Sequence, residues 1–203
     1  MQYYLIIPAH NEAQHLALTL QSIEAQTVSP KKIVVVNDHS TDETENIVKS
    51  FIAHNLNLIL LNNFSDSEHQ PGSKVVRAFQ KGLEMLDEHY DFIVKLDADL
   101  ILPPNLISMD NFFCSSENII AHLNSDSKIG MAGGFAYIEK NGAWILENLT
   151  DKDHIRGAFK AYRKACFQQI GGLKPAMGWD TVDELLAKFY GWEIKTDETL
   201  KVK

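Results

Sequence analysis

The chain has 203 residues, of which 45% are hydrophobic and 23% are charged, and these figures exclude a disordered or coiled-coil protein. This length suffices for one sizeable hydrophobic core or at most two small domains. The formal net charge of −8 argues against a general nucleic-acid binder, which needs a basic face to meet the phosphates.

Two features bear on where the protein works. Its two cysteines, Cys114 and Cys166, lack the spacing of metal ligands, and their mostly apolar neighbours predict buried thiols in a reducing compartment. No stretch approaches the roughly eighteen apolar residues of a membrane span, and the N-terminus lacks the pattern of a secretory signal. The sequence therefore predicts a cytoplasmic protein, and a peripheral contact with the inner membrane surface stays open.

The first hundred residues alternate between predicted strands and helices. Short apolar runs predict strands over residues 3–7, 33–36, 56–61 and 91–96. Helical spacing predicts helices from about Asn11, from a Ser-x-x-Glu capping box at residues 40–43, and over residues 73–88. This alternation is typical of an α/β protein with an open, mostly parallel, Rossmann-like sheet flanked by helices.

The second hundred residues are less regular. An extended segment over residues 128–139 turns at Asn141-Gly142 into residues 143–146, which is the pattern of a hairpin. Helices are predicted over residues 103–113, 163–170 and 181–190. No repeat or linker separates the two halves, so we predict one domain, residues 1–203, with an irregular second half.

Polar residues follow three of the predicted strands directly, at residues 8–12, 37–39 and 97–99. In open α/β sheets, ligands bind at the carboxyl ends of the strands. These three groups are therefore the first candidates for a binding site.

Asp97 and Asp99 form the most distinctive of these groups, a D-x-D triplet just past a buried strand. Oxygen ligands favour Mg²⁺ or Mn²⁺, ions that one or two carboxylates commonly hold while substrate phosphates and water complete the coordination. A solvated turn is the alternative interpretation, since Asp is common in turns. The position of the triplet beside two other polar strand ends favours the metal site.

Two further acids and one cation are candidates for ligand contact. Asp38 follows an apolar strand and can accept a hydrogen bond from a base or ribose, because Ser40 is assigned to cap the next helix. Glu12 is less distinctive, since an acid in the first turn of a helix also stabilises the helix dipole. One of three cations on a shared helix face can reach a phosphate while the others stay solvated, and we take Lys74 rather than Arg77 or Lys81.

Four motifs, in order along the chain, resemble those of glycosyltransferase family 2: LIIPAHNE at residues 5–12, VVNDHSTDET at 35–44, KLDADL at 95–100 and GGLKPAMGWDTVDELLA at 171–187. The resemblance covers nearly the whole chain and implies an inverting enzyme of the GT-A fold that uses nucleotide-diphosphate sugars. It implies that Asp38 faces the base, that Asp97 lies near the ribose and diphosphate, and that Asp99 binds the metal. The nucleotide-sugar pocket that it implies is lined by Pro8, Ala9, Asn11 and Glu12, and Ala98 is included because it lies between the two aspartates.

An inverting transfer needs a base on the acceptor side, and three acids open the last predicted helix: Asp180, Asp183 and Glu184. In the resembling family the base is the Asp of a Glu-Asp pair at a set distance before a Gly, and counting back from Gly191 gives Asp180. Asp183 stays a rival, because it lies one turn along the same helix face. Capping of the helix N-terminus explains one of these acids but not all three.

These features predict a metal-dependent glycosyltransferase of polysaccharide biosynthesis, with Mn²⁺ or Mg²⁺ as its cofactor. It would move a sugar from a nucleotide-diphosphate donor, bound by residues 1–100, to a saccharide or lipid-linked acceptor, bound by residues 101–203. The chain lacks the further His ligand that the resembling family often supplies after the base helix. We therefore expect either a C-terminal truncation or a metal site that relies on Asp99, phosphates and water.

Three other functions stay open at this point. A non-catalytic or truncated module would bind the nucleotide sugar without transferring it. A nucleotidyltransferase would carry a Gly-rich, Arg-containing loop after its first strand, where this chain has PAHNEAQ. A D-x-D phosphatase would carry its acidic pair after the first strand rather than the fourth.

Overall fold

The structure, a computed structural model, describes residues 2–63, 72–103, 119–146 and 153–202. The first half of the chain alternates strands and helices: β1 (Tyr3–Ala9), α1 (Leu16–Glu24), β2 (Lys32–Asp38), α2 (Thr44–Ile52), β3 (Leu58–Asn63), α3 (Ser73–Glu84) and β4 (Phe92–Leu96). The second half adds α4 (Ile119–Ser125), β5 (Ile129–Lys140), β6 (Ala143–Leu146), β7 (Phe159–Arg163), α5 (Lys164–Gln169), α6 (Trp179–Phe189) and β8 (Glu193–Val202).

Strands from both halves of the chain share one sheet, in the order β3-β2-β1-β4-β7-β5-β6, with β8 paired to β5. The strands β1 to β4 are parallel to one another, whereas β7 runs antiparallel to both β4 and β5. The predicted α/β architecture with an open, mostly parallel sheet is therefore confirmed. The carboxyl ends of β1, β2 and β4 meet at one edge of this sheet, as the site prediction requires.

Both faces of the parallel strands are buried, which explains their continuous apolar runs. In β1, Leu5 and Ile7 face the core formed with α1 and α2, whereas Tyr4 and Ile6 face the core formed with α3. The helix α3 lies close to the sheet, since a Cβ at Gly82 would be 2.6 Å from the Cγ2 of Ile6 and 2.9 Å from the Cγ2 of Val36. This close packing holds the C-terminal half of α3 against β1 and β2.

The strands near the site are longer than predicted, and the first helix is shorter. β1 continues through Pro8 to Ala9, and Asn37 and Asp38 are the last residues of β2 rather than loop residues. The helix α1 begins at Leu16 rather than near Asn11, because Asn11 has a φ of 56°, outside the range of a right-handed helix.

The predicted capping box at residues 40–43 is wrong. Glu43 precedes α2 without a side-chain cap, and the hydroxyl of Ser40 accepts a hydrogen bond from the backbone N–H of Asn11 at 2.9 Å. The carboxylate of Asp42 accepts hydrogen bonds from the backbone N–H groups of Thr44 and Ala13, each at 3.0 Å. Ser40 and Asp42 therefore join the loop after β2 to the loop after β1.

The second half is more regular than its sequence indicates. The hairpin of β5 and β6 is confirmed, with positive φ at Asn141 and Gly142, whereas β7 and β8 were not predicted because charged residues interrupt their apolar pattern. Cys166 is buried, as predicted. Beyond Pro103, the helix predicted over residues 103–113 lies outside the described residues, as does Cys114. Among the described residues, no helix is both long enough and apolar enough to cross a membrane.

We expect the substitution Gly82→Ala to lower the free energy of unfolding by about 1–3 kcal/mol, the usual effect of overpacking a core. Alanine in an exposed helix interior would instead gain about 1 kcal/mol over glycine. Urea denaturation measures the difference, with Lys81→Ala on the exposed side of α3 as a control that should change stability by less than about 0.5 kcal/mol. A Gly82→Ala protein as stable as the wild type would contradict the close packing of α3 on the sheet.

Candidate active site

A cleft of about 610 Å³ opens at the carboxyl ends of β1, β2 and β4, beside the N-terminal half of α3. It brings together eight residues that were predicted from the sequence: Pro8, Ala9, Glu12, Asp38, Lys74, Asp97, Ala98 and Asp99. Three other predicted residues, Asn11, Asp180 and Asp183, do not line this cleft. The volume falls in the range of small-molecule sites, which is about 300–1,000 Å³.

Asn11 joins two loops rather than lining the cleft. Its backbone N–H donates to Ser40, and its side-chain Oδ1 accepts a hydrogen bond from the backbone N–H of Thr41 at 2.8 Å. Its left-handed φ turns the chain sharply after β1, a conformation that Asn tolerates better than most residues. Asn11 thereby fixes the loop that carries His10 and Glu12 into the cleft.

Asp38 ends β2 with one carboxylate oxygen already engaged. Its Oδ1 accepts a hydrogen bond from the side-chain amide of Asn63 at 2.8 Å and lies 3.1 Å from the Nδ1 of His39. Its Oδ2 has no hydrogen bond from the described residues. The side chain is thus held in place by β3, the neighbouring strand, and keeps one acceptor oxygen for a ligand.

The D-x-D triplet is anchored by its backbone. The backbone N–H of Asp97 donates to the carbonyl of Ala158 at 2.8 Å, and the hydroxyl of Thr19 donates to the carbonyl of Ala98 at 2.7 Å. The carboxylate of Asp97 accepts a hydrogen bond from the ammonium of Lys95. Burial raises the pKa of Asp97, and the positive charge of Lys95 opposes this shift.

Acidic side chains crowd the floor of the cleft. Burial raises the pKa of Glu12, and repulsion from the carboxylates of Asp99 and Asp97 adds to the shift. Within the described parts of the chain, no three His, Cys, Asp or Glu side chains lie close enough together to hold a metal ion by themselves. The donor set of Asp97 and Asp99 fits a Mg²⁺-type site, in which one or two carboxylates act together with substrate phosphates.

Asp180 stands in the first turn of α6, next to the segment that leads into β7. Its Oδ2 accepts a hydrogen bond from the backbone N–H of Gly157 at 3.2 Å and lies 3.6 Å from the Nε2 of His154. The side chain is 29% exposed, so its carboxylate can meet a substrate. The other ring nitrogen of His154 lies 3.2 Å from the carboxylate of Glu184, so this imidazole sits between two acids of α6.

Asp183 has a different environment, although it lies one turn further along α6. It is 1% exposed, and its carboxylate accepts hydrogen bonds from the ammonium of Lys160 at 2.8 Å and from the hydroxyl of Tyr162 at 2.6 Å. Burial raises the pKa of Asp183, and Lys160 opposes this shift. Both oxygens of Asp183 are therefore committed to partners in β7.

Several residues of the site were not predicted from the sequence. His10, His39, Val75 and Ala78 line the cleft beside the predicted residues. His10 and His39 stand in polar segments that were recognised as strand ends, but nothing in their spacing marked them individually. The role of Lys95 could have been predicted, because a charged residue within an apolar strand needs a buried partner.

Comparisons with known proteins agree with this geometry. The sequence profile named Glycosyl transferase family 2 matches residues 4–164. A curated relative, the O-antigen chain rhamnosyltransferase RfbN of Salmonella typhimurium (strain LT2), is 25% identical in an alignment 187 positions long that covers 85% of this chain and 55% of that protein.

Two solved structures share the fold at low sequence identity. The mannosyltransferase PcManGT from Pyrobaculum calidifontis, in complex with GDP-Man and Mn²⁺, aligns with a TM-score of 0.70 and 18% identity over 99% of this chain and 56% of its own. GalNAc-T7 with UDP, GalNAc and Mn²⁺ aligns with a TM-score of 0.73 and 14% identity over 100% of this chain and 43% of its own. These likenesses confirm the GT-A fold, and the chain spans about half the length of the relatives it matches.

We expect Lys160→Met to lower the free energy of unfolding by about 3–5 kcal/mol at neutral pH, because Asp183 would be left as a buried, unpaired charge. Without Lys160 the raised pKa of Asp183 rises further, so the folded state binds a proton more readily than the unfolded state. Stability then falls as the pH rises, so the deficit should shrink as the pH is lowered from neutral through the raised pKa of Asp183.

Urea denaturation at several pH values measures this deficit, with Lys188→Met on the exposed side of α6 as the control. Adding Asp183→Asn to Lys160→Met should restore part of the lost stability, because the amide still accepts the hydrogen bond from Tyr162. A small deficit that does not change with pH would contradict the buried ion pair.

Proposed function

Because the chain belongs to glycosyl transferase family 2, we propose that it transfers a sugar from a nucleotide-diphosphate donor to a hydroxyl group of an acceptor, with inversion at the anomeric carbon. The observation that carries this proposal is the cleft that gathers Asp38, Lys74, Asp97 and Asp99 at the carboxyl ends of the strands. It offers a hydrogen-bond acceptor for a nucleobase, carboxylates for a divalent cation and a lysine for a phosphate.

The nucleobase would bind at the end of β2. The Oδ2 of Asp38 can accept a hydrogen bond from a ring N–H, which uracil, thymine and guanine possess. His10 and His39 line the same cleft and offer flat rings for the base to contact. Pro8 and Ala9 would form the apolar wall of this part of the pocket.

The diphosphate would lie between the D-x-D triplet and α3. Asp99, supported by Asp97, would hold Mn²⁺ or Mg²⁺, and Lys74 would contact a phosphate oxygen. A bound divalent cation neutralises negative charge on the diphosphate as it departs. Glu12 adds to the negative potential that attracts such a cation.

Asp180 would act as the base on the acceptor side. The acceptor oxygen attacks the anomeric carbon, the bond from that carbon to the diphosphate breaks, and the electron pair leaves with the diphosphate. The proton of the acceptor hydroxyl passes to the carboxylate of Asp180. We assign Asp183 to the buried pair with Lys160, because both of its oxygens are already hydrogen-bonded.

The acceptor class follows from a relative rather than from the cleft. RfbN is named as a transferase of the O-antigen chain, which supports a saccharide acceptor and a role in polysaccharide biosynthesis. A lipid-linked saccharide would bring the protein to the cytoplasmic face of the inner membrane. In this assignment residues 1–100 bind the donor, and α6, from the second half of the chain, supplies the base.

We expect Mn²⁺ together with uridine, thymidine or guanosine diphosphate to raise the melting temperature by about 5–10 °C at roughly 100 times Kd. Cytidine and adenosine diphosphates should give a smaller rise, because their bases lack a ring N–H that could donate a hydrogen bond to Asp38. Asp99→Ala should remove the part of the shift that depends on Mn²⁺.

Asp91→Ala, just before β4 at its amino end and away from the cleft, is the matched control and should keep the full response to nucleotide. No shift with any nucleoside diphosphate would contradict the donor site. An Asp99→Ala protein with an unchanged response to Mn²⁺ would contradict the assignment of the metal ligand.

We expect Asp180→Asn to slow the Mn²⁺-dependent release of nucleoside diphosphate from a nucleotide sugar by about 10²–10⁴-fold, the usual contribution of a positioned base. The Kd for the nucleoside diphosphate, measured by calorimetry, should stay within about threefold. Asp183→Asn should instead lower stability while leaving the rate of the folded protein within about tenfold.

The reverse pattern, with Asp183→Asn inactive and Asp180→Asn active, would make Asp183 the base. A wild-type chain that binds nucleotide tightly but releases none from any nucleotide sugar would be a non-catalytic binding module.

A further inference from the structure

The backbone of Gly157 contacts residues on both sides of the proposed reaction. Its carbonyl accepts a hydrogen bond from the ammonium of Lys95 at 2.5 Å, and its N–H donates to the carboxylate of Asp180 at 3.2 Å. The same ammonium donates to the carboxylate of Asp97. The backbone of one residue therefore connects Asp97, through Lys95, to the proposed base Asp180.

Lys95 is held firmly in this arrangement because its charge is buried. It is 2% exposed within the apolar strand β4, and its ammonium lies over the ring of Trp179, 5.4 Å from the ring centroid. A buried ammonium without partners costs several kcal/mol, so the carboxylate of Asp97, the carbonyl of Gly157 and the aromatic face act together to retain it. Any shift of Gly157 would remove one of these three partners.

Trp179 packs against Gly157 from the side of α6. Its ring is buried at the start of α6, and the ammonium of Lys160 also lies over it, 5.7 Å from the centroid. Lys160 also donates to the backbone carbonyl of Asp180 at 2.5 Å. Lys160 therefore holds both the ring of Trp179 and the backbone of the proposed base, Asp180.

Gly157 has no room for a side chain in this position. A Cβ there would lie 2.6 Å from the Cζ2 of Trp179 and 3.3 Å from the Cβ of Asp180. Its φ is not positive, so its backbone conformation is open to other residues and only the lack of space requires glycine. The glycine therefore allows the backbone at residue 157 to approach α6 closely.

We propose that Gly157 and Lys95 are positioning residues that set the distance between Asp97, on the donor side, and Asp180, on the acceptor side. This inference rests on the proposed function, because it gives the two aspartates their roles in the transfer. The separation matters because a displacement of about 1 Å between reacting groups can slow a reaction by roughly 10²-fold. Neither residue needs to touch the substrate to have this effect.

The test compares Gly157→Ala with Gly82→Ala, an equally crowded glycine between α3 and the sheet. The probe is the nucleotide sugar whose nucleoside diphosphate gives the largest Mn²⁺-dependent rise in melting temperature, with water in place of the acceptor hydroxyl. We expect Gly157→Ala to keep the Kd for the nucleoside diphosphate within about threefold and to slow its release by about 10–100-fold. Gly82→Ala should lose stability without changing the release rate of the folded protein.

A compensating substitution separates positioning from general damage. Trp179→Phe removes the outer ring atoms that the new methyl group would meet. The double variant Gly157→Ala with Trp179→Phe should therefore release nucleoside diphosphate at least about fivefold faster than Gly157→Ala alone. A double variant that is no faster than Gly157→Ala would overturn the steric part of the proposal.

Different results would disprove the positioning role of Gly157 and Lys95 and the proposed transferase function. If the wild type binds and hydrolyses the donor but Gly157→Ala does so at the same rate, the positioning role is wrong and the function stands. If stability, Kd and rate all fall in parallel, as for a general loss of structure, the positioning role is also wrong. A wild type that binds no nucleotide would overturn the function itself.

A second measurement requires no turnover. In an NMR spectrum, adding Mg²⁺ and the nucleoside diphosphate should shift the amide resonance of Gly157, and Lys95→Met should abolish that shift while nucleotide still binds. An amide resonance that does not respond to the nucleotide in the wild type, or responds equally in Lys95→Met, would overturn the link through Lys95.

Discussion

Mutual repulsion among the carboxylates of Glu12, Asp97 and Asp99 is the constraint around which the site is organised. Each follows a strand that is buried on both faces, so hydrophobic burial of β1 and β4 brings the acids together in spite of their like charges. Folding therefore gathers negative charge at one edge of the sheet, which lowers the stability of the folded state. A divalent cation with its phosphates is the ligand that such an edge attracts most strongly.

Buried lysines compensate the acids that solvent cannot reach. Lys95 meets Asp97 below the cleft, and Lys160 meets Asp183 below the first turn of α6. Both ammonium groups lie over the ring of Trp179, so β4, β7 and α6 share one buried network. The strand β7 contributes to this network, since it supplies Lys160 and begins two residues after Gly157.

The sequence predicts those parts of the fold that depend on local pattern. Apolar runs located the first four strands, Asn141-Gly142 located the hairpin, and the D-x-D triplet located the edge where the cleft forms. Parts that depend on distant partners were not predictable. The strand β7 owes its conformation to pairing with β4, and Lys95 finds the carbonyl of Gly157 62 positions away.

Local rules also failed where tertiary contacts compete for the same groups. Ser40 had the right spacing for a cap, but its hydroxyl is used by Asn11, and Asp42 stabilises the start of α2 instead. Asp180 and Asp183 looked equivalent by helical spacing. The position of β7 separates them, because Lys160 and Tyr162 donate to the carboxylate of Asp183, whereas Lys160 reaches only the backbone carbonyl of Asp180.

The proposed transfer requires the carboxylate edge of the sheet to hold a divalent cation against a nucleoside diphosphate. An anomalous difference map from crystals grown with Mn²⁺ and uridine or guanosine diphosphate would locate that cation. We predict a manganese peak within about 2.5 Å of a carboxylate oxygen of Asp99, beside the diphosphate. A nucleotide bound in the cleft with no manganese at Asp99, or manganese bound only elsewhere, would contradict it.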